Sequence, residues 1–184
     1  MMLAINNPPS ACGQSDVIQE NEIRSQHPQS GLYRNDGSNK PLWTVNWYAF
    51  DVEISSDGKY LARWGPWPLS NNYSELALAF YEEGREISKY RVNELVAIPE
   101  LLPHSVSHYM WVKSASFDDQ NNLLFVETEN GEKYTFDITN GAIMDGNRPI
   151  PRLFIALAVG GVAMLIYVVL HVRQQRNSAR RKFV

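Results

Sequence analysis

Residues 123–138 read LLFVETENGEKYTFDI, and this stretch decides the fold. Aromatic, aliphatic and β-branched residues lie on both sides of a polar centre, Glu129-Asn130-Gly131-Glu132. Asn-Gly is the strongest short-range signal for a β-hairpin, because both residues tolerate the left-handed backbone of a tight turn. The stretch therefore predicts two antiparallel strands, 123–128 and 133–138.

Two more hairpins are predicted upstream of this one. The residues of 43–55 and 59–64 are dense in aromatic and β-branched side chains and flank the turn Ser56-Asp57-Gly58. The second upstream hairpin joins 76–81 to 86–92 through a turn that contains Gly84. The pattern is that of a β-meander.

Little helix is expected outside the C-terminal region. Residues 93–102, NELVAIPELL, are the helical candidate, and Pro99 limits them to a turn or two. Val106 to Ser116 is predicted to form a further strand. With six to eight strands in all, the chain is expected to be mainly β, as a small sandwich, an open barrel or blade-like sheets.

Two short segments resemble β-propeller repeats. Residues 55–60, SSDGKY, resemble the turn within such a repeat, and residues 134–141, YTFDITNG, resemble the strand end that precedes the next blade. The chain has strands for about two blades, and a closed propeller needs at least four, so the resemblance implies related hairpins and not a propeller. The run from Leu42 to Ile143 also looks like uncharacterised bacterial membrane-anchored proteins of similar layout.

Residues 1–40 are rich in Asn, Gln, Ser, Pro and Gly, and are predicted to be a flexible leader before a β-rich domain over 41–146. The first fifteen residues lack the basic and apolar regions of a signal peptide, so we expect a signal upstream. Cys12 is the only cysteine, which excludes an intramolecular disulfide. Its neighbours resemble a lipoprotein box, but Pro9 replaces the expected Leu, which favours an unmodified Cys12.

A transmembrane helix is predicted over 153–172, after a linker over 147–152. The stretch from Leu153 to Leu170 contains no charged residue, and twenty residues at about 1.5 Å each span the roughly 30 Å of a bilayer core. Ala156 and Gly160 form a small-xxx-small pair, with Gly161 beside them, which would let two such helices approach closely, so self-association is an open prediction.

The predicted tail over 173–184 is basic, and the domain before the span is acidic. Residues 152–184 hold six basic residues and no acid, whereas residues 1–151 hold 11 basic and 20 acidic residues. The positive-inside rule predicts a cytoplasmic C-terminus and a domain in the periplasm of a bacterial inner membrane, the alternative being a tail-anchored protein with a cytosolic domain. The acidic domain argues against nucleic-acid binding. The basic residues next to the predicted span are Arg173, Arg176, Arg180, Arg181 and Lys182.

Candidate binding residues lie in a loop with two tryptophans. Residues 64–68 read WGPWP, and the rings of Trp64 and Trp67, with nearby Tyr73, could form a stiff platform for a sugar or a proline-rich peptide. The alternative is that Trp64 points into the core and Trp67 seals one end of the sheet.

The histidine motif is a weaker candidate. His104 and His108 have the i, i+4 spacing of a zinc site on a helix, but on the strand predicted here the two side chains would lie about 13 Å apart. We therefore predict no metal and no cofactor.

The favoured hypothesis is a non-enzymatic, membrane-tethered β domain that binds a protein partner in the cell envelope, as an accessory subunit of a membrane complex. The first alternative is glycan or peptidoglycan binding through Trp64 and Trp67. The second is an envelope hydrolase, which would require His104, His108, Asp118 and Asp119 to meet in one cleft.

Overall fold

The computed structural model describes residues 1–5, 25–69 and 72–147, together with Met164 and Tyr167, which lie in helical backbone. The chain divides into two units, Met1–Arg148 and Pro149–Val184. Within the described residues, no helix is both long enough and apolar enough to cross a membrane. Apart from Met164 and Tyr167, the predicted span over 153–172 lies outside the described residues, as do Cys12 and the basic tail.

The first unit is mainly β, as predicted, and its strands form three antiparallel sheets. The first sheet has the order β1-β2-β3, the second β4-β5-β6-β7 and the third β11-β10-β9-β8. Strands in each sheet therefore pair only with their neighbours in sequence. The strands of the described residues are β1 Met2–Ala4, β2 Gly31–Tyr33, β3 Pro41–Thr44, β4 Val52–Ile54, β5 Tyr60–Trp64, β6 Leu76–Glu82, β7 Arg85–Arg91, β8 Val112–Asp118, β9 Leu123–Thr128, β10 Lys133–Asp137 and β11 Ala142–Asn147.

The second sheet is the middle layer, because both of its faces are covered. Side chains alternate between the faces of a strand. Leu78 and Phe80 of β6 pack into the large core shared with Phe136 of the third sheet. Ala79 and Tyr81 of the same strand face the opposite way, where residues of the first sheet pack on them. This explains why β6 is buried along nearly its whole length, and the layered packing is consistent with a sandwich.

A short helical connection joins the second sheet to the third. Helix α1, Val92–Leu95, follows β7 directly, and a 3₁₀ turn, Pro99–Leu101, follows it, so the predicted helix is confined to short pieces on both sides of Val96. The β9–β10 hairpin holds this connection through several hydrogen bonds. Asn130 Nδ2 donates to the Ile98 carbonyl over 2.9 Å, and the Tyr134 hydroxyl donates to the Leu95 carbonyl over 2.6 Å.

All three predicted hairpins are present. The β4–β5 turn contains Asp57, the β6–β7 turn contains Gly84, and the β9–β10 turn contains Gly131, whose φ of 91° is the left-handed conformation expected of the Asn-Gly signal. Both segments that resemble propeller repeats lie at hairpin turns, between β4 and β5 and between β10 and β11.

The structure corrects the prediction that order begins near Pro41. Strands β1 and β2 lie within residues 1–40, and Leu32 and Tyr33 are buried at 2% and 0% exposure. Leu32 and Tyr33 belong to β2, which has only three residues and is therefore too short to give a repeating apolar pattern in the sequence. Residues 6–24 lie outside the described residues.

Three further boundaries differ from the prediction. The stretch 43–55 is divided between β3 and β4, which belong to different sheets. The strand predicted over 106–116 begins only at Val112. Strand β11 runs to Asn147 and includes Gly146, where the sequence predicted the end of the domain and the start of a linker. Its six residues are all exposed, so they show no buried face for sequence reasoning to detect.

Candidate functional site

Two loops meet at one end of the first unit. The first connects β5 to β6 and carries Trp67, and the second precedes β8 and carries His104 and His108. The Tyr109 amide donates to the Pro68 carbonyl over 3.3 Å, and Leu69 forms an antiparallel bridge with His108. These backbone contacts bring residues together that lie some forty positions apart in sequence.

The aromatic and histidine side chains of the two loops contact one another. The Trp67 and His108 ring centroids are 5.7 Å apart, edge to face, and those of Tyr73 and His104 are 6.3 Å apart. We call this region the aromatic–histidine surface. It consists of Trp67, Leu69, Tyr73, His104, Val106, His108 and Met110.

The large apolar side chains of this surface are unusually exposed. Trp67 is 73% exposed, and Val106, at the tip of the turn between His104 and His108, is fully exposed. Leu69 and Met110 are also more than half exposed. A displayed tryptophan among exposed aliphatic side chains is typical of a surface that another molecule covers.

Charged residues are scarce in both loops, and the β5–β6 loop ends with one of them, Glu75, whose carboxylate accepts from the Leu69 amide over 3.1 Å. Residues 64–74 and 101–112 contain no Asp, Glu, Lys or Arg, although residues 1–151 carry nine more acids than bases. Depletion of charged residues is typical of the centre of a protein interface. The Glu75 carboxylate is already bonded to the Leu69 amide and to Asn72 Nδ2, so the surface presents mainly apolar and neutral side chains to a partner.

The hydrogen bonds of His104 assign its tautomer. Its Nδ1 lies 2.6 Å from the Leu102 carbonyl, which can only accept, so Nδ1 carries the proton when the ring is neutral. The Nε2 atom then accepts from the Tyr73 hydroxyl over 3.2 Å. Both ring nitrogens of His104 are thus satisfied within the protein.

His108 and the two aspartates have other partners. The Nδ1 atom of His108 lies 2.7 Å from the Ser107 hydroxyl. Asp119 accepts from the Ser56 amide over 2.7 Å, at the β4–β5 turn, and Asp118 accepts from Asn121, which lowers the pKa of its carboxyl group. Among the described residues, no group of three or more histidines, cysteines or acids is placed to hold a metal ion.

The two tryptophans of the predicted platform have different surroundings. Trp64 is half-buried against the large core, and its ring centroid lies 5.9 Å from that of Trp111. Trp67 is displayed to solvent. Trp64 therefore lies as the core alternative predicted, whereas the binding role of the exposed Trp67 stays a prediction.

Sequence reasoning singled out Trp67, Tyr73, His104 and His108, but it did not place them together. It also missed Tyr109, which supports the surface from beneath: the ring is 2% exposed, packs on Tyr73 at 5.2 Å, and donates its hydroxyl to the Asn72 carbonyl over 3.0 Å. The repetition of aromatic residues at 109 and 111 with a methionine between them was the available signal.

Tyr109 should make the surface sensitive to alkaline pH. Burial, together with Glu75 and Tyr73, raises the pKa of Tyr109 from 10.0 to about 12. The unfolded chain loses this proton near pH 10 and the folded chain only near pH 12, so the contribution of Tyr109 to stability is complete below pH 10 and is lost as the pH rises. We expect Tyr109→Phe to flatten the fall in the free energy of unfolding over this range, measured by urea titration. An unchanged slope would contradict the assignment.

The comparisons with known proteins supply no family. No protein-family model matches the chain, and no curated protein matches its sequence.

Proposed function

We propose that the chain is a membrane-tethered, non-enzymatic β domain that binds a protein partner in the cell envelope through the aromatic–histidine surface. The observation that carries this proposal is the exposure of Trp67 and Val106 on two adjoining loops whose only charged residue is Glu75. Tryptophan is among the residue types enriched at binding hot spots, which cluster near the centre of an interface.

The tether is proposed from the sequence alone. An uncharged stretch of membrane-spanning length over 153–172 and a basic flank after it support a single pass with the C-terminus in the cytoplasm. On this proposal the first unit lies in the periplasm, and its exposed surface faces other subunits of a membrane complex.

The two alternatives have less support in the geometry. Glycan binding on paired tryptophan faces requires both rings at the surface, and Trp64 packs on Trp111 instead. A hydrolase requires the aspartates to join the histidines, and Asp119 is bonded to the β4–β5 turn.

Site-specific photocrosslinking tests the proposal. A photoreactive amino acid replaces Val106, whose side chain is fully exposed and holds nothing in place, and cells are irradiated before their membranes are collected. We expect the chain to sediment with the membranes and to form one protein adduct of defined mass. Adding Trp67→Ala should reduce the adduct at least about tenfold, because hot-spot truncations cost about 2 kcal/mol or more.

The matched control places the same photoreactive group at Ser114, which is exposed on β8 of the third sheet. Equal adducts from positions 106 and 114, or an adduct indifferent to Trp67→Ala, would show that the surface is not the docking site. Adducts with lipid alone would show that the two loops contact the bilayer, and would contradict the proposal that this surface binds a protein.

A further inference from the structure

A groove of about 810 Å³ lies apart from the aromatic–histidine surface and shares no residue with it. Its walls come from the segments that flank β2 and β3, and the β6–β7 turn contributes Gly84. The volume is within the range of about 300–1,000 Å³ that holds a small molecule. The groove is lined by Pro28, Gln29, Ser30, Thr44, Val45, Asn46, Trp47, Tyr48 and Gly84.

The lining combines neutral polar groups with aromatic rings and includes no charged residue. The side chains of Gln29, Thr44 and Asn46 are exposed, and within the described part of the chain they form no hydrogen bond with other protein groups. Amide side chains both donate and accept, and a hydroxyl does the same. These three residues can therefore exchange paired hydrogen bonds with the hydroxyl groups of a ligand.

Arg63 contacts both aromatic residues of the groove, Trp47 and Tyr48. The Arg63 guanidinium lies over the Trp47 ring at 4.5 Å, and Arg63 Nη2 donates to the Tyr48 carbonyl over 3.0 Å. Trp47 also contacts Tyr81, at 5.0 Å between ring centroids, and Tyr81 is a neighbour of Arg63 on the paired strands β5 and β6. Trp47 thus packs on two neighbouring residues of the second sheet, and a ligand need not order it on binding.

Gly84 brings the β6–β7 turn against β3. Its φ is +82°, and a Cβ atom there would lie 2.5 Å from the Thr44 carbonyl oxygen. This close approach joins the turn to one wall of the groove, so the wall belongs to two packed sheets and is not a free loop.

We propose that this groove binds a neutral saccharide. A sugar ring presents C–H groups that pack on an aromatic side chain and hydroxyl groups that both donate and accept, which is the chemistry of this lining. A nucleotide or phosphate would require cationic side chains or a helix N-terminus in the lining, and a metal cation would require carboxylates. An apolar ligand would leave the amide groups of Gln29 and Asn46 without partners.

The test is calorimetric titration of the full chain, purified in a detergent without a sugar headgroup, with maltohexaose, cellohexaose and chitohexaose. We expect at least one of these neutral oligosaccharides to bind. Asn46→Ala and Gln29→Ala should each raise its Kd about tenfold, since each removes hydrogen bonds to the ligand. Both side chains are exposed and uncommitted, so the variants should fold, which circular dichroism checks.

Asn93→Ala is the matched control, because Asn93 is an exposed asparagine on α1, and it should leave the Kd unchanged. Trp67→Ala should also leave it unchanged, which separates this site from the surface proposed for the protein partner. Binding that survives both groove substitutions would overturn the proposal, and so would loss of binding only in Trp67→Ala. Failure of all three oligosaccharides to bind at millimolar concentration would overturn it as well.

Discussion

Replacing Phe136 with alanine should lower the free energy of unfolding by about 3–5 kcal/mol, the range for removing a large aromatic side chain from a packed core. Phe136 is fully buried, and its ring lies 5.4 Å from Phe80 and 5.3 Å from Tyr90. Those partners belong to the second sheet and Phe136 to the third, so the variant opens a cavity where the two layers meet. Urea titration of the full chain, followed by tryptophan fluorescence, measures the loss.

Phe125→Ala is the control for this substitution. Phe125 lies on β9, opposite Thr135 of β10, and is 39% exposed on the outer face of the same sheet. We expect it to lose about 1 kcal/mol or less, since a partly exposed ring is removed without leaving an enclosed cavity. If the two alanine variants unfold at the same urea concentration, the second and third sheets do not pack as described.

Replacing Glu132 with alanine should lower the free energy of unfolding by about 3 kcal/mol, because it leaves buried donors without an acceptor. Glu132 is 3% exposed. One carboxylate oxygen accepts from the Ala97 amide over 2.9 Å, and the other accepts from the Thr128 hydroxyl. The carboxylate therefore ties the connection after α1 to the β9–β10 hairpin. Thermal unfolding of the full chain measures the effect.

Glu127→Ala, in the same hairpin, serves as the comparison. Glu127 forms ion pairs with Lys113 at 2.7 Å and Lys133 at 3.6 Å, and both lysines are more than half exposed. Exposed ion pairs contribute about 0–1 kcal/mol, so this variant should unfold close to the parent chain. A Glu132 variant as stable as the Glu127 variant would mean that the carboxylate does not hold the connection.

The hairpins could be predicted from sequence because each depends on local chemistry. Gly131 and Gly84 adopt the positive φ that their turns require, and the strands next to them follow within a residue or two of the prediction. Strand β2 could not be predicted, since its burial depends on pairing with Met2–Ala4, nearly thirty residues away. The sequence of a three-residue segment does not show which distant segment it pairs with.

The candidate site was predictable in its residue types and not in its assembly. The WGPWP sequence singles out Trp67 as a loop tryptophan, and the i, i+4 spacing singles out His104 and His108, although the sequence predicts a strand there. Their contact depends on the bridge between Leu69 and His108, for which neither loop has a pairing pattern. The sequence does not predict the groove beside Trp47, because residues 28–30 have the composition of a flexible leader and 43–55 the pattern of one continuous strand.

The strictly sequential order of the strands has a consequence for biosynthesis. When Arg91 has left the ribosome, every strand of the second sheet is available, and no later residue is needed to complete its pairing. The face that carries Leu78 and Phe80 is then exposed to solvent, because the third sheet that packs on it consists of residues 112–147, which have not yet been synthesised. The nascent chain therefore passes through a stage with a finished sheet and a bare apolar face, the kind of surface that chaperones bind. Slower synthesis between Arg91 and Val112 would prolong that stage, and faster synthesis would shorten it.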